Sequence, residues 1–100
     1  MKVDIQAVNF KVDRKLVDFI NRKTERLDKF YDKIVGVEVY LKVENTSEKE
    51  NKTADLLVKI PGDDLVVKKT CKTFEEAVDS ASEALERLLV KRKEKTKSHL

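Results

Sequence analysis

A chain of 100 residues and 11.6 kDa suits one domain built around one modest core. Hydrophobic residues make up 40% and charged residues 41%, so the chain can fold but must carry an unusually ionic surface. A single cysteine, Cys71, excludes an intrachain disulfide, no apolar stretch approaches membrane-spanning length, and the N-terminus lacks a signal-peptide core. These features predict a cytoplasmic protein. The net charge of +3 is unevenly spread: the segment from Arg87 onward carries +5 and residues 1–86 carry −2. Cationic character concentrated in one element is the footprint of a nucleic-acid binder.

In chain order, Val3, Ile5 and Ala7 alternate with Lys2, Asp4 and Gln6, which predicts a half-buried strand over 2–8. Asp13 offers an N-cap. From there to about Tyr31, the residues Leu16, Phe19, Ile20, Leu27, Phe30 and Tyr31 recur at helical spacing. Residues 35–43 alternate again, with Val35, Val37, Val39, Leu41 and Val43 on one face. A polar hairpin loop over 45–52 precedes a strand marked by Ala54, Leu56, Val58 and Ile60. Pro61, Gly62, Asp63 and Asp64 signal a turn, and 65–71 reads as a fourth strand. Thr73 and Glu76 form a capping box ahead of a long helix. Its apolar stripe is Phe74, Ala77, Val78, Ala81, Leu85, Leu88 and Leu89.

The order β-α-β-β-β-α predicts an α+β fold: a four-stranded, mostly antiparallel sheet with both helices packed on one face. The other face, with Tyr40, Lys42, Leu57 and Lys59, should be open. Residues 1–95 form a single domain in this reading, and 96–100 a disordered basic tail.

At about 100° per residue, Arg22, Arg26, Lys29 and Lys33 fall near Lys15 on one stripe of the first helix. On the second helix Arg87, Lys91 and Lys95 are spaced i, i+4, i+8, with Glu75, Asp79, Glu83 and Glu86 on or near the opposite flank. If the two basic flanks face each other, the helices border a positive groove suited to a phosphate backbone. Charge sorting through i,i+4 pairing is the simpler explanation, yet Asp28–Asp32 and Lys29–Lys33 are like-charged neighbours, which cost stability. A recurring cost of that kind points to a partner.

Catalytic chemistry is not expected. The one histidine, His99, is next to last, Cys71 has no histidine partner nearby, no Cys/His cluster could bind zinc, and two glycines cannot build a phosphate loop. No cofactor and no metal are expected.

Five strings in order resemble the bacterial ribosome hibernation promoting factor family, which includes protein Y: RLDKFYDKI at 26–34, VEVYLKVE at 37–44, KIPGDDL at 59–65, FEEAVD at 74–79 and LERLLVKRKEK at 85–95. The resemblance implies a translation inhibitor of stressed or stationary-phase cells. It would bind the small ribosomal subunit, on 16S rRNA near the decoding centre, and block messenger and transfer RNA. It also implies RNA contacts from Lys23, Arg26 and Lys33 on the first helix and from Arg87, Lys91, Lys93 and Lys95 on the second. With Arg22 and Lys29 from the helical stripe, these form the candidate RNA-binding set. Lys23 projects toward the apolar arc and is expected to snorkel to its edge. Val17 and Ala84 stand where family members often carry basic residues, and the chain resembles a short-form member without a C-terminal dimerisation domain. No membrane and no small-molecule substrate are implied, and the protein should be monomeric off the ribosome. The competing readings are a general double-stranded-RNA-binding domain, which lacks a strand before its first helix, and a small α+β ligand-sensing or assembly domain.

Overall fold

The computed structural model describes residues 1–97, and side chains up to residue 95. Strand β1 (Lys2–Ala7) leads to helix α1 (Arg14–Glu25), a short 3₁₀ turn at Arg26–Lys29, strands β2 (Gly36–Val43), β3 (Lys52–Ile60) and β4 (Asp63–Cys71), and helix α2 (Phe74–Lys97). The sheet order is β1-β2-β3-β4, with β1 parallel to β2 and the other two pairs antiparallel. The crossover through α1 explains the parallel pair, since only a long connection can return the chain in the same direction.

The inward faces of the strands meet the apolar stripes of both helices. Leu16 and Ile20 of α1, Val37, Val39 and Leu41 of β2, Leu56 and Val58 of β3, and Ala77, Val78, Ala81, Leu85 and Leu89 of α2 form one buried cluster. The helices thus share one face of the sheet, and Tyr40, Lys42 and Lys59 lie exposed on the other. Both expected N-cap bonds are present: Leu16 donates its N–H to Asp13 Oδ1 at 2.8 Å, and Glu76 donates its N–H to Thr73 Oγ1 at 3.1 Å, but among the described residues the Glu76 carboxylate does not return the bond that would complete a capping box.

Four expectations are corrected. The first helix does not run to Tyr31. Buried Thr24 turns its hydroxyl back onto the Ile20 carbonyl at 2.9 Å, a bond that weakens helices, and the chain tightens into the 3₁₀ turn. Val35 precedes β2 and is 62% exposed, and Val43, at its hairpin end, is 45% exposed, so neither joins the core. Leu88 is 38% exposed at the border of the α2 stripe. Asp63 and Asp64 are paired residues of β4, and the turn itself is Pro61-Gly62 alone. Gly62 has φ 77, the left-handed value that a tight turn with proline before it requires.

Helix α2 continues to Lys97, two residues beyond the expected domain boundary. The rest of the expected tail lies outside the described residues. Phe10, which belongs to no predicted element, stacks on Phe74 with ring centroids 5.0 Å apart and closes the core beneath the start of α2.

Candidate nucleic-acid interface

Helix α1 presents Arg22 and Lys23 in its last turn. Both cations lie over the Phe19 ring, the Arg22 guanidinium carbon at 5.8 Å and Lys23 Nζ at 5.5 Å from its centroid. Lys23 also reaches Asp79 of α2, with Nζ 2.7 Å from Oδ1. It therefore does snorkel to the edge of the apolar arc, and a carboxylate meets it there. Arg26 Nε lies 3.6 Å from Glu86 Oε1. Asp79 and Glu86 are seven residues apart, two helical turns, and so stand on one stripe of α2.

The helices therefore do not border a purely positive groove. The acidic flank of α2 faces α1, and the seam is lined by Lys23, Arg26, Asp79, Ser82, Glu83 and Glu86. The expectation failed because helical phase orders residues around one axis, while the rotation of α2 against α1 is set by which residues the sheet buries.

The single basic ribbon of α1 is also interrupted. Arg26 and Lys29 open and close the 3₁₀ turn, and Lys33 lies in a turn beyond it, so the α-helical phase of Lys15 and Arg22 is not carried on to Lys29 and Lys33. On α2, Arg87, Lys91 and Lys95 form one exposed ridge. Lys93, about 200° from Lys91, stands on a different side of the helix. Arg22, Lys29, Lys33, Arg87, Lys91 and Lys93 are not in ion pairs among the described residues. These cations can neutralise phosphates without first releasing a carboxylate.

Beside the ridge lies an apolar depression lined by Phe30, Val90 and the stems of Glu86, Arg87 and Lys91. Val90 is 37% exposed. It is an apolar residue inside the otherwise polar outer face, the one signal by which the sequence could have marked this patch.

Two groups away from this surface are perturbed by their surroundings. Asp63 Oδ1 accepts the Asp64 N–H at 2.8 Å, and Oδ2 meets Arg92 Nη2 at 2.7 Å. The backbone donor first and Arg92 second hold its carboxyl below the ordinary 3.8. Burial, with Glu76 and Glu50 adding to it, pushes the Cys71 thiol above its usual value. A thiol held protonated at neutral pH is the reverse of an activated nucleophile. Among the described residues no group of three His, Cys, Asp or Glu side chains could hold a metal, and no helix is long and apolar enough to cross a membrane.

The fold and surface define a class: a small α+β domain that carries two cationic helical elements on one side of a mixed sheet. The profile of the family described as Sigma 54 modulation protein / S30EA ribosomal protein matches residues 3–97, and the chain belongs to that family. It is 33% identical over 100 residues to the ribosome hibernation promoting factor of Pseudomonas putida, covering all of this chain and 94% of the relative. It is 29% identical over 99 residues to that of Escherichia coli K12, covering 99% of this chain and all of the relative. The fold matches the N-terminal domain of Thermus thermophilus Protein Y with TM-score 0.79 and 22% identity, over 91% of this chain and 98% of that one. A ribosomal subunit interface protein from Coxiella burnetii aligns with TM-score 0.81 and 22% identity, over 93% and 98%. The family resemblance read from the five sequence strings thus holds along nearly the whole chain.

Proposed function

We propose that this chain binds the ribosome and inhibits translation by occupancy, without catalysis. Its site is small-subunit 16S rRNA near the decoding centre, where it excludes messenger and transfer RNA. The observation that carries this reading is a family match spanning 3–97 combined with exposed cations that are in no ion pair among the described residues: Lys29 and Lys33 after α1, Arg87 and Lys91 on α2. Relatives aligned over 94% to all of their own length carry the name ribosome hibernation promoting factor, which supports the ribosome as partner. A cytoplasmic location follows from that partner. Phosphate contacts supply affinity and position, so exposed cations matter more than buried ones.

The test is sedimentation of the purified chain with isolated small subunits and whole ribosomes through sucrose, followed by titration into a cell-free translation reaction. Co-sedimentation, inhibition in proportion to occupancy and competition with initiator transfer RNA are expected. Failure to pellet with either particle at low salt overturns the reading, and saturated ribosomes translating at full rate overturn the placement near the decoding centre.

A further inference from the structure

We infer that the depression between Phe30 and Val90 is a seat for one unpaired nucleobase, with Arg87 and Lys91 holding the phosphates on either side of it. The inference rests on the ribosome-binding reading and adds to it a contact that is not electrostatic.

Three observations carry it. The floor is apolar: Phe30 is half-buried and packed against the core, and Val90 is 37% exposed beside it. The rim is cationic: Arg87 and Lys91 stand one turn apart on α2, exposed and without an ion pair among the described residues. The remaining lining residue, Glu86, is an acceptor whose charge Arg26 offsets at 3.6 Å. The positive rim disfavours a like-charged second copy of this helix. An apolar floor with a positive rim suits a nucleotide, which joins an apolar π-face to a negative phosphate. Stacking of unpaired bases on a fixed aromatic ring is how proteins read single-stranded RNA, whereas an A-form duplex offers only its backbone and shallow groove. The seat therefore selects a looped or extruded base and gives the chain a preference for structured rRNA over plain duplex.

The test is chemical probing of base reactivity on small subunits saturated with the full chain. Three variants are compared with wild type: Val90→Asp, which puts a carboxylate on an exposed position; Phe30→Leu, which keeps apolar volume in the core but removes the ring; and Val66→Asp, the same charge change at a valine 59% exposed on the open sheet face. Melting temperatures establish that each variant is folded. Wild type and Val66→Asp should shield at least one unpaired base. Val90→Asp and Phe30→Leu should leave that base reactive, keep the backbone protections and bind about tenfold more weakly, the size expected for one stacked base. If wild type pellets with subunits and both seat variants shield the same bases, the seat is wrong and the ribosome reading stands. If wild type does not pellet at all, both fall. Concentration-dependent self-association that Val90→Asp abolishes, with base shielding unchanged, would assign the patch to a second copy and overturn the seat.

Discussion

Lys23 of α1 and Asp79 of α2 meet at 2.7 Å, so a cation that the family resemblance assigns to RNA is held by a carboxylate of the same chain. The partners are 31% and 42% exposed, and the Arg26–Glu86 pair at 3.6 Å repeats the arrangement further along the same seam. Water screens both pairs, so each contributes ~1 kcal/mol or less to stability. In the proposed binding to RNA, a phosphate that reaches Lys23 or Arg26 must compete with Asp79 or Glu86 for it.

Asp79→Asn and Glu86→Gln together should therefore strengthen binding to any RNA, a random duplex included, while lowering stability only slightly. The slope of log affinity against log salt should steepen by about 0.7 to 0.9 for each additional phosphate engaged. Filter binding across a salt series measures this. Unchanged affinity and slope would mean that the two cations face no phosphate.

The cations in no ion pair among the described residues should behave oppositely. A variant with Lys29, Lys33, Arg87 and Lys91 all changed to glutamine should melt near the wild-type temperature, each exposed change altering stability by about 0.5 kcal/mol or less. Ribosome binding should fall strongly, and the salt slope should shrink by roughly 0.7 to 0.9 for every phosphate that is no longer neutralised. A fourfold variant with wild-type affinity would leave these residues as a solvated surface only.

Leu85 is fully buried at the centre of the α2 stripe. Leu85→Ala should cost about 2 to 5 kcal/mol, a transfer loss plus an unfilled cavity. Urea denaturation should show a lower midpoint with an unchanged slope. A cost near zero would contradict the placement of α2 on the sheet.

At the β3–β4 turn, a Cβ added to Gly62 meets no heavy atom within 4 Å, yet φ is 77. Gly62→Ala should destabilise by about 1 kcal/mol through backbone conformation alone. Gly62→Asn should cost less, because asparagine tolerates the left-handed region. Thermal melts of the two variants distinguish conformational strain from steric crowding.

Asp63 ties the start of β4 to Arg92 on α2. Its carboxyl sits below 3.8 in the folded protein, so its contribution to stability is present above that value and is lost as pH falls through the lowered one. The stability difference between wild type and Asp63→Asn should accordingly shrink below pH 3.8 and hold constant from there to neutrality. A difference that disappears as pH rises toward neutrality would contradict the assignment.

Element order, caps and most of the core were legible in the sequence, because they depend on spacing along one chain. Asp13 and Thr73 cap their helices through bonds three residues long, and alternation at Val37, Val39 and Leu41 or at Leu56 and Val58 marks one sheet face locally. The cationic surface was legible as a set of residues and not as a shape. Periodicity could not show that Thr24 bends its hydroxyl onto Ile20 and ends the α-helical phase before Lys29. Nor could it show which flank of α2 meets α1, since Asp79 and Lys23 are 56 positions apart and come together only when both helices bury their stripes on the same sheet. By itself the sequence determined the fold class, the family and the residues available to bind an anion. Tertiary packing decided which of those cations carboxylates already hold, and it alone brought Phe30 beside Val90, because rotation about a helix axis is set by contacts distant in sequence.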